Sequence, residues 1–193
     1  MTRALVLYAH PCGESFAAAL HGAVVETLTA RGWEVDDCDL YAEGFDPVLS
    51  AGERRGYHDL ATNTAPVASY VERLRGAQAL VLCYPVWNFG YPAILKGFFD
   101  RVFLPGVSFR LVDGHVRPNL TNIRKVAAVT TYGGTRVRAF VAGDPPRRLT
   151  KRTLRYVTQA RKMRYLALYD MNRADDAARG AFVRRVTREM QEF

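Results

Sequence analysis

The sequence predicts one α/β domain built on an open, doubly wound, five-stranded parallel sheet of strand order 2-1-3-4-5, with helices on both faces. Three observations lead there. Ala4 to Ala9, Ala79 to Tyr84 and Val126 to Thr131 are almost continuously apolar, as strands are when helices cover both sides of a parallel sheet. Segments with apolar residues at helical spacing lie between them. The two patterns alternate from end to end with no repeat, low-complexity tract or linker, which argues for a single domain over residues 1–193.

Each element follows in chain order. The apolar run of the first strand is too short for a secretory signal and meets His10-Pro11 instead of a small-residue cleavage site. Ser15 to Ala30 reads as a helix, with Phe16, Ala19, Leu20, Ala23, Val24 and Leu28 on one face and Gly32 just past its end. Trp33 to Leu40 alternates like an edge strand. Helices follow over Pro66 to Leu74 and Pro92 to Val102, the latter with Ile94, Leu95, Phe98, Phe99 and Val102 inward. Pro145 to Thr158 is a further helix, Arg164 to Tyr169 the last strand, and Ala174 to Phe193 a final amphipathic helix. Two connections, Tyr41 to Thr64 and Leu104 to Lys125, exceed the usual length and are candidate binding loops.

Composition narrows the class. Hydrophobic residues make up 49% and charged residues 24%, which excludes disorder over most of the chain. No apolar run approaches the roughly 20 residues of a membrane span. Cys12, Cys38 and Cys83 are odd in number and lack CxxC or metal spacing, so we expect no metal site and a reducing, cytoplasmic setting. The formal charge is +8, and the segment Arg136 to Arg164 holds ten basic residues against one acid, Asp144. That field favours an anionic partner, such as a phosphorylated dinucleotide. A solvated helix face is the plain alternative, and nucleic acid lacks any recognisable binding motif.

In an open doubly wound sheet, ligands bind beyond the carboxyl ends of the strands where the order reverses. Three loops therefore matter. After the first strand, His10-Pro11-Cys12-Gly13-Glu14-Ser15-Phe16-Ala17 places Ser15 at a helix N-cap, with the N–H groups of Phe16 and Ala17 free to hold a phosphate and His10 alongside. After the third, Pro85-Val86-Trp87-Asn88-Phe89 could border a flat heterocycle. After the fourth, Thr130-Thr131-Tyr132-Gly133-Gly134 offers close backbone approach and a phenol. Together they suit a phosphorylated planar cofactor.

At these residues the sequence resembles the flavodoxin-like NAD(P)H:quinone oxidoreductases, the family of DT-diaphorase and its shorter bacterial relatives. The matching stretches are Ala9-His10-Pro11 with Ser15-Phe16, Asp39-Leu40-Tyr41 with Phe45-Asp46-Pro47, the long block Pro85 to Phe103, and Thr130 to Gly134. Beyond Gly134 only the pattern of elements agrees. The resemblance implies a flavodoxin-like fold and a flavin, FMN or FAD. Its phosphate would lie at Ser15, Phe16 and Ala17 with His10, and its ring against Pro85, Val86, Trp87, Asn88 and Phe89 and against Thr130, Thr131, Tyr132, Gly133 and Gly134. It implies a homodimer, and ping-pong transfer of hydride from NAD(P)H through flavin N5 to a quinone or similar acceptor, with Tyr132 as the candidate to hydrogen-bond or protonate that acceptor. Ala17 departs from the family, where asparagine is frequent, but a backbone contact would survive. The long C-terminal extension of the larger animal enzymes is missing, which leaves FMN and FAD both open. A regulatory flavin-fold subunit of a potassium-efflux system is the alternative within the family.

Overall fold

The computed structural model describes residues 1–193. Strand β1 is Arg3–Tyr8, β2 Glu34–Asp39, β3 Ala79–Val86, β6 Lys125–Tyr132 and β7 Lys162–Leu168; the intervening β4, Phe109–Val112, and β5, His115–Pro118, form a separate antiparallel hairpin. The main sheet is wholly parallel and runs β2-β1-β3-β6-β7, which is 2-1-3-4-5 when only its own strands are counted, as the sequence predicts.

Strand alternation splits the interior in two. Leu5, Leu7, Leu80, Leu82, Val126 and Ala128 point to the face covered by α3 (Ala68–Gly76), α4 (Ala93–Val102) and α7 (Arg155–Thr158). Ala4, Val6, Val81, Ala127 and Val129 point to the other, under α1 (Phe16–Ala30) and α8 (Asp176–Gln191). Most of these side chains are fully buried, and a leucine so placed contributes roughly 1.5–3 kcal/mol. At Gly97 on α4 even a methyl group would overlap the backbone of Pro47. That close approach draws the chain after β2 onto α4, with Phe45 buried between Tyr70 and Phe98.

Both long connections contain structure that the sequence reading did not anticipate. The first carries α2, Ala51–Gly56, opened by a Ser50–Glu53 capping box. Arg101 of α4 clasps Glu53 at 2.7 Å, and both side chains are mostly buried. Burial opposes the charge on Glu53, but hydrogen bonds from Ser50 and Arg101, with the Arg101 charge, outweigh it and hold the carboxyl below its usual range. The second carries the β4–β5 hairpin, whose Asp113-Gly114 turn has both residues at positive φ, the signature of a type I′ turn. A short helix α5, Arg136–Val141, is also additional. These six-residue helices are too short to show a period. The helix expected over Pro145 to Thr158 forms, but as α6 (Pro145–Arg148), a π-helical stretch Leu149–Leu154, and α7. Apolar spacing alone does not distinguish four-residue from five-residue hydrogen-bond steps.

Candidate functional site

The loops leaving β1, β3 and β6 converge because the strands are in register: Tyr8 lies beside Cys83, Pro85 beside Thr131, and Val86 beside Tyr132. The His10 and Trp87 rings sit 5.7 Å apart, and Gly134 faces the edge of Phe89. The three segments singled out by sequence thus form one rim.

In the first loop Ser15 is the N-cap of α1, and its hydroxyl accepts the Ala18 N–H at 3.1 Å. The N–H groups of Phe16 and Ala17 have no partner in the chain. The Ala17 methyl is buried in the core beneath, so this residue offers only its backbone. His10 Nδ1 accepts the Cys12 N–H at 3.0 Å, which in a neutral ring leaves Nε2 as a donor. Two more donors lie under the rim unpaired: the Tyr8 and Thr130 hydroxyls are buried without a hydrogen bond.

The second loop is a two-residue turn. Trp87 and Gly90 exchange backbone hydrogen bonds at 3.3 and 2.8 Å, and Asn88 and Phe89 have φ of 48° and 57°. This is type I′ geometry, which asparagine tolerates and phenylalanine resists. Strain of this kind concentrates at functional sites. The turn leaves the Asn88 and Phe89 N–H groups unpartnered and holds the Trp87 and Phe89 rings 41% and 40% exposed. Pro85 is buried and Val86 half-buried behind them.

In the third loop Gly133 is exposed and Gly134 half-buried, whereas Thr130 and Thr131 are buried. The sequence reading put the Tyr132 hydroxyl at the rim; the structure turns it inward. Tyr132 is 1% exposed. Its hydroxyl donates to Asp144 Oδ1 at 2.5 Å and lies 2.5 Å from the Tyr165 hydroxyl. Burial above all, with the Asp144 carboxylate behind it, holds the phenol far above its ordinary pKa. Touching an acceptor would require this hydroxyl to leave both partners. The alternation of β6 explains the difference, since Tyr132 shares a sheet face with Val126 and Ala128.

Four residues beyond the sequence-derived set complete this side. Asp144 and Tyr165 fix Tyr132. Tyr169 stacks on its ring at 4.5 Å. Asn172 lies against Gly133, where a side chain would crowd it. Asp144 had a sequence signal, as the lone acid in the basic segment; the others had none.

The rim therefore carries unpartnered backbone donors at a helix start, which suit a phosphate, and further donors beside exposed aromatic faces, which suit the polar edge of a flat ring. The residues present fit a flavin.

Comparison with known proteins agrees with this geometry. A family model described as flavodoxin-like fold matches residues 2–191. The rat protein named NAD(P)H dehydrogenase [quinone] 1 is 32% identical over 147 residues, covering 68% of this chain and 54% of the rat protein. The chain thus spans about half the length of this relative. Among solved structures, Smu.1420 from Streptococcus mutans superposes with a TM-score of 0.88 at 27% identity, covering all of both chains. The NAD(P)H:quinone oxidoreductase from Methanothermobacter marburgensis gives a TM-score of 0.84 at 25% identity over 98% of each chain. With a model match over nearly its whole length and a sheet of the expected order, the chain belongs to the flavodoxin-like fold family.

Proposed function

We propose that this chain is a flavin-dependent NAD(P)H oxidoreductase that reduces a quinone or a similar flat acceptor. The observation that carries it is the convergence of two sets of unpartnered backbone donors, at Phe16–Ala17 and Asn88–Phe89, with two exposed aromatic rings on the sheet's carboxyl edge. The relatives named for NAD(P)H and quinone support the reading.

Phe16, Ala17, Ser15 and His10 hold the flavin phosphate, with the α1 dipole adding to their N–H groups. Asn88 and Phe89 donate to the ring's polar edge, Trp87 and Phe89 shield its face from water, and Gly133 and Gly134 admit it closely. When bound, the flavin supplies two-electron transfer between nicotinamide and acceptor. Tyr132 serves as a positioning residue: protonated and tied to Asp144, it fixes the carboxyl end of β6. FMN is favoured over FAD, and two copies of the chain form the working unit in a reducing cytoplasm.

The test is to purify the protein with added FMN or FAD, identify the retained flavin by mass, and follow its absorbance as NAD(P)H and then a quinone are added. Bleaching by the nicotinamide and recovery with the quinone are expected. A protein that retains neither flavin, or whose flavin is not reduced, overturns the proposal.

A further inference from the structure

Behind the third loop lies a second concavity that the flavin reading does not use. It is a cavity of about 350 Å³ lined by five cations, Arg136, Arg147, Arg148, Lys151 and Arg152, and one carboxylate, Asp144. None of the five forms an ion pair. Asp144 is engaged elsewhere, accepting the Tyr132 hydroxyl. Five like charges around a single carboxylate leave a surplus of positive charge, which a multivalent anion would offset.

The local winding produces this convergence. Arg148 sits at the end of α6, and Lys151 and Arg152 lie in the π-helical stretch Leu149–Leu154. Arg147 from α6 and Arg152 from the π-helical stretch both line the cavity. Such π segments recur at functional sites. The cavity also borders the end of β6. Its wall includes Tyr169, whose ring stacks on Tyr132 at the end of β6. The cavity therefore lies beside the carboxyl end of β6, from which the third loop of the rim departs.

We infer that this cavity holds the 2′-phosphate of NADPH and makes the chain selective for NADPH over NADH; the inference rests on the reductase reading above. Guanidinium forks match phosphate oxygens in pairs. Lys151 and Arg152 also line a neighbouring hollow with Arg155 and Arg161, and Arg148 and Arg152 line another, but the five cations of this cavity share one concavity, which suits a compact dianion.

The test has two arms. Calorimetry compares 2′,5′-ADP with 5′-AMP on the wild type and on the double variant Arg148→Gln/Arg152→Gln, whose two side chains are exposed. Arg147 is left in place because it packs over the Tyr165 ring. The wild type should prefer 2′,5′-ADP by roughly 10-fold or more, and the variant should lose most of that preference, as expected for two charge-assisted hydrogen bonds. Steady-state kinetics should show the NADPH-to-NADH ratio of kcat/KM falling by a similar factor. Equal binding of the two nucleotides overturns the inference. So does a variant whose defect is confined to a sulfonated acceptor, or one whose only loss is retention of DNA on a gel. Selective 2′,5′-ADP binding without turnover supports the phosphate cavity and removes the reductase reading; turnover without nicotinamide preference removes the cavity's role alone.

Discussion

Phe89 occupies the less comfortable half of a type I′ turn, at φ 57°. A β-carbon in the left-handed region costs about 1 kcal/mol, and glycine is the usual occupant. Phe89→Gly should therefore stabilise the flavin-free protein by about 1 kcal/mol, raising its denaturation midpoint, while weakening flavin retention, because an exposed ring is lost from the rim. Thermal melts and a flavin titration read the two effects separately. A variant that is less stable, or that binds flavin as well as before, would show that the strain serves some other end. At this scale the sequence was informative where backbone decides and silent where side-chain direction decides. Ser15 capped α1 as its residue type predicts. Tyr132 did not point where its position beside two glycines suggested, because strand parity sent it to the face where Asp144 and Tyr165 wait.

At the scale of elements, α2 and α4 are joined by a mostly buried ion pair between Glu53 and Arg101, with Ser50 closing the cap. The folded carboxyl is held below its usual range. A group whose folded pKa is lowered contributes stability that is fully present above its unfolded pKa and is lost as pH falls through the folded value. The connection between β2 and α3 should thus loosen in the acid range below the ordinary glutamate pKa, and Glu53→Gln should flatten that part of the stability curve. Proteolysis at Ala51–Gly56 across a pH series measures it; identical curves for both proteins would sink the assignment. Strands and long helices were legible because their apolar patterns repeat several times. The elements α2, α5 and the β4–β5 hairpin were not, since each has at most six residues per segment and no buried side of its own apart from Ala139. The Asp113-Gly114 turn was the one local signal for the hairpin.

For the whole molecule, the flavin contacts join loops from three different strands, so binding should stabilise the native state globally. A ligand at 100 times its dissociation constant adds about 2.7 kcal/mol, and the melting temperature should rise with flavin concentration accordingly. A flavin-independent melt would contradict a site shared among these loops. Fold class and strand order were readable because two-sided burial writes itself into each central strand. The basic cavity was readable only as charge, since its shape depends on how Leu149–Leu154 winds. Parallel register has one more consequence. Every strand of the main sheet leaves on the rim side and enters on the other. At that entering border, Arg3 pairs with Glu34, and the Lys125 ammonium donates to the Phe193 carbonyl at 2.7 Å. The first and last residues of the chain thus lie together at the sheet's back door. A tag, a surface tether or a fused protein attached at either end would hang there, leaving the rim facing the solution.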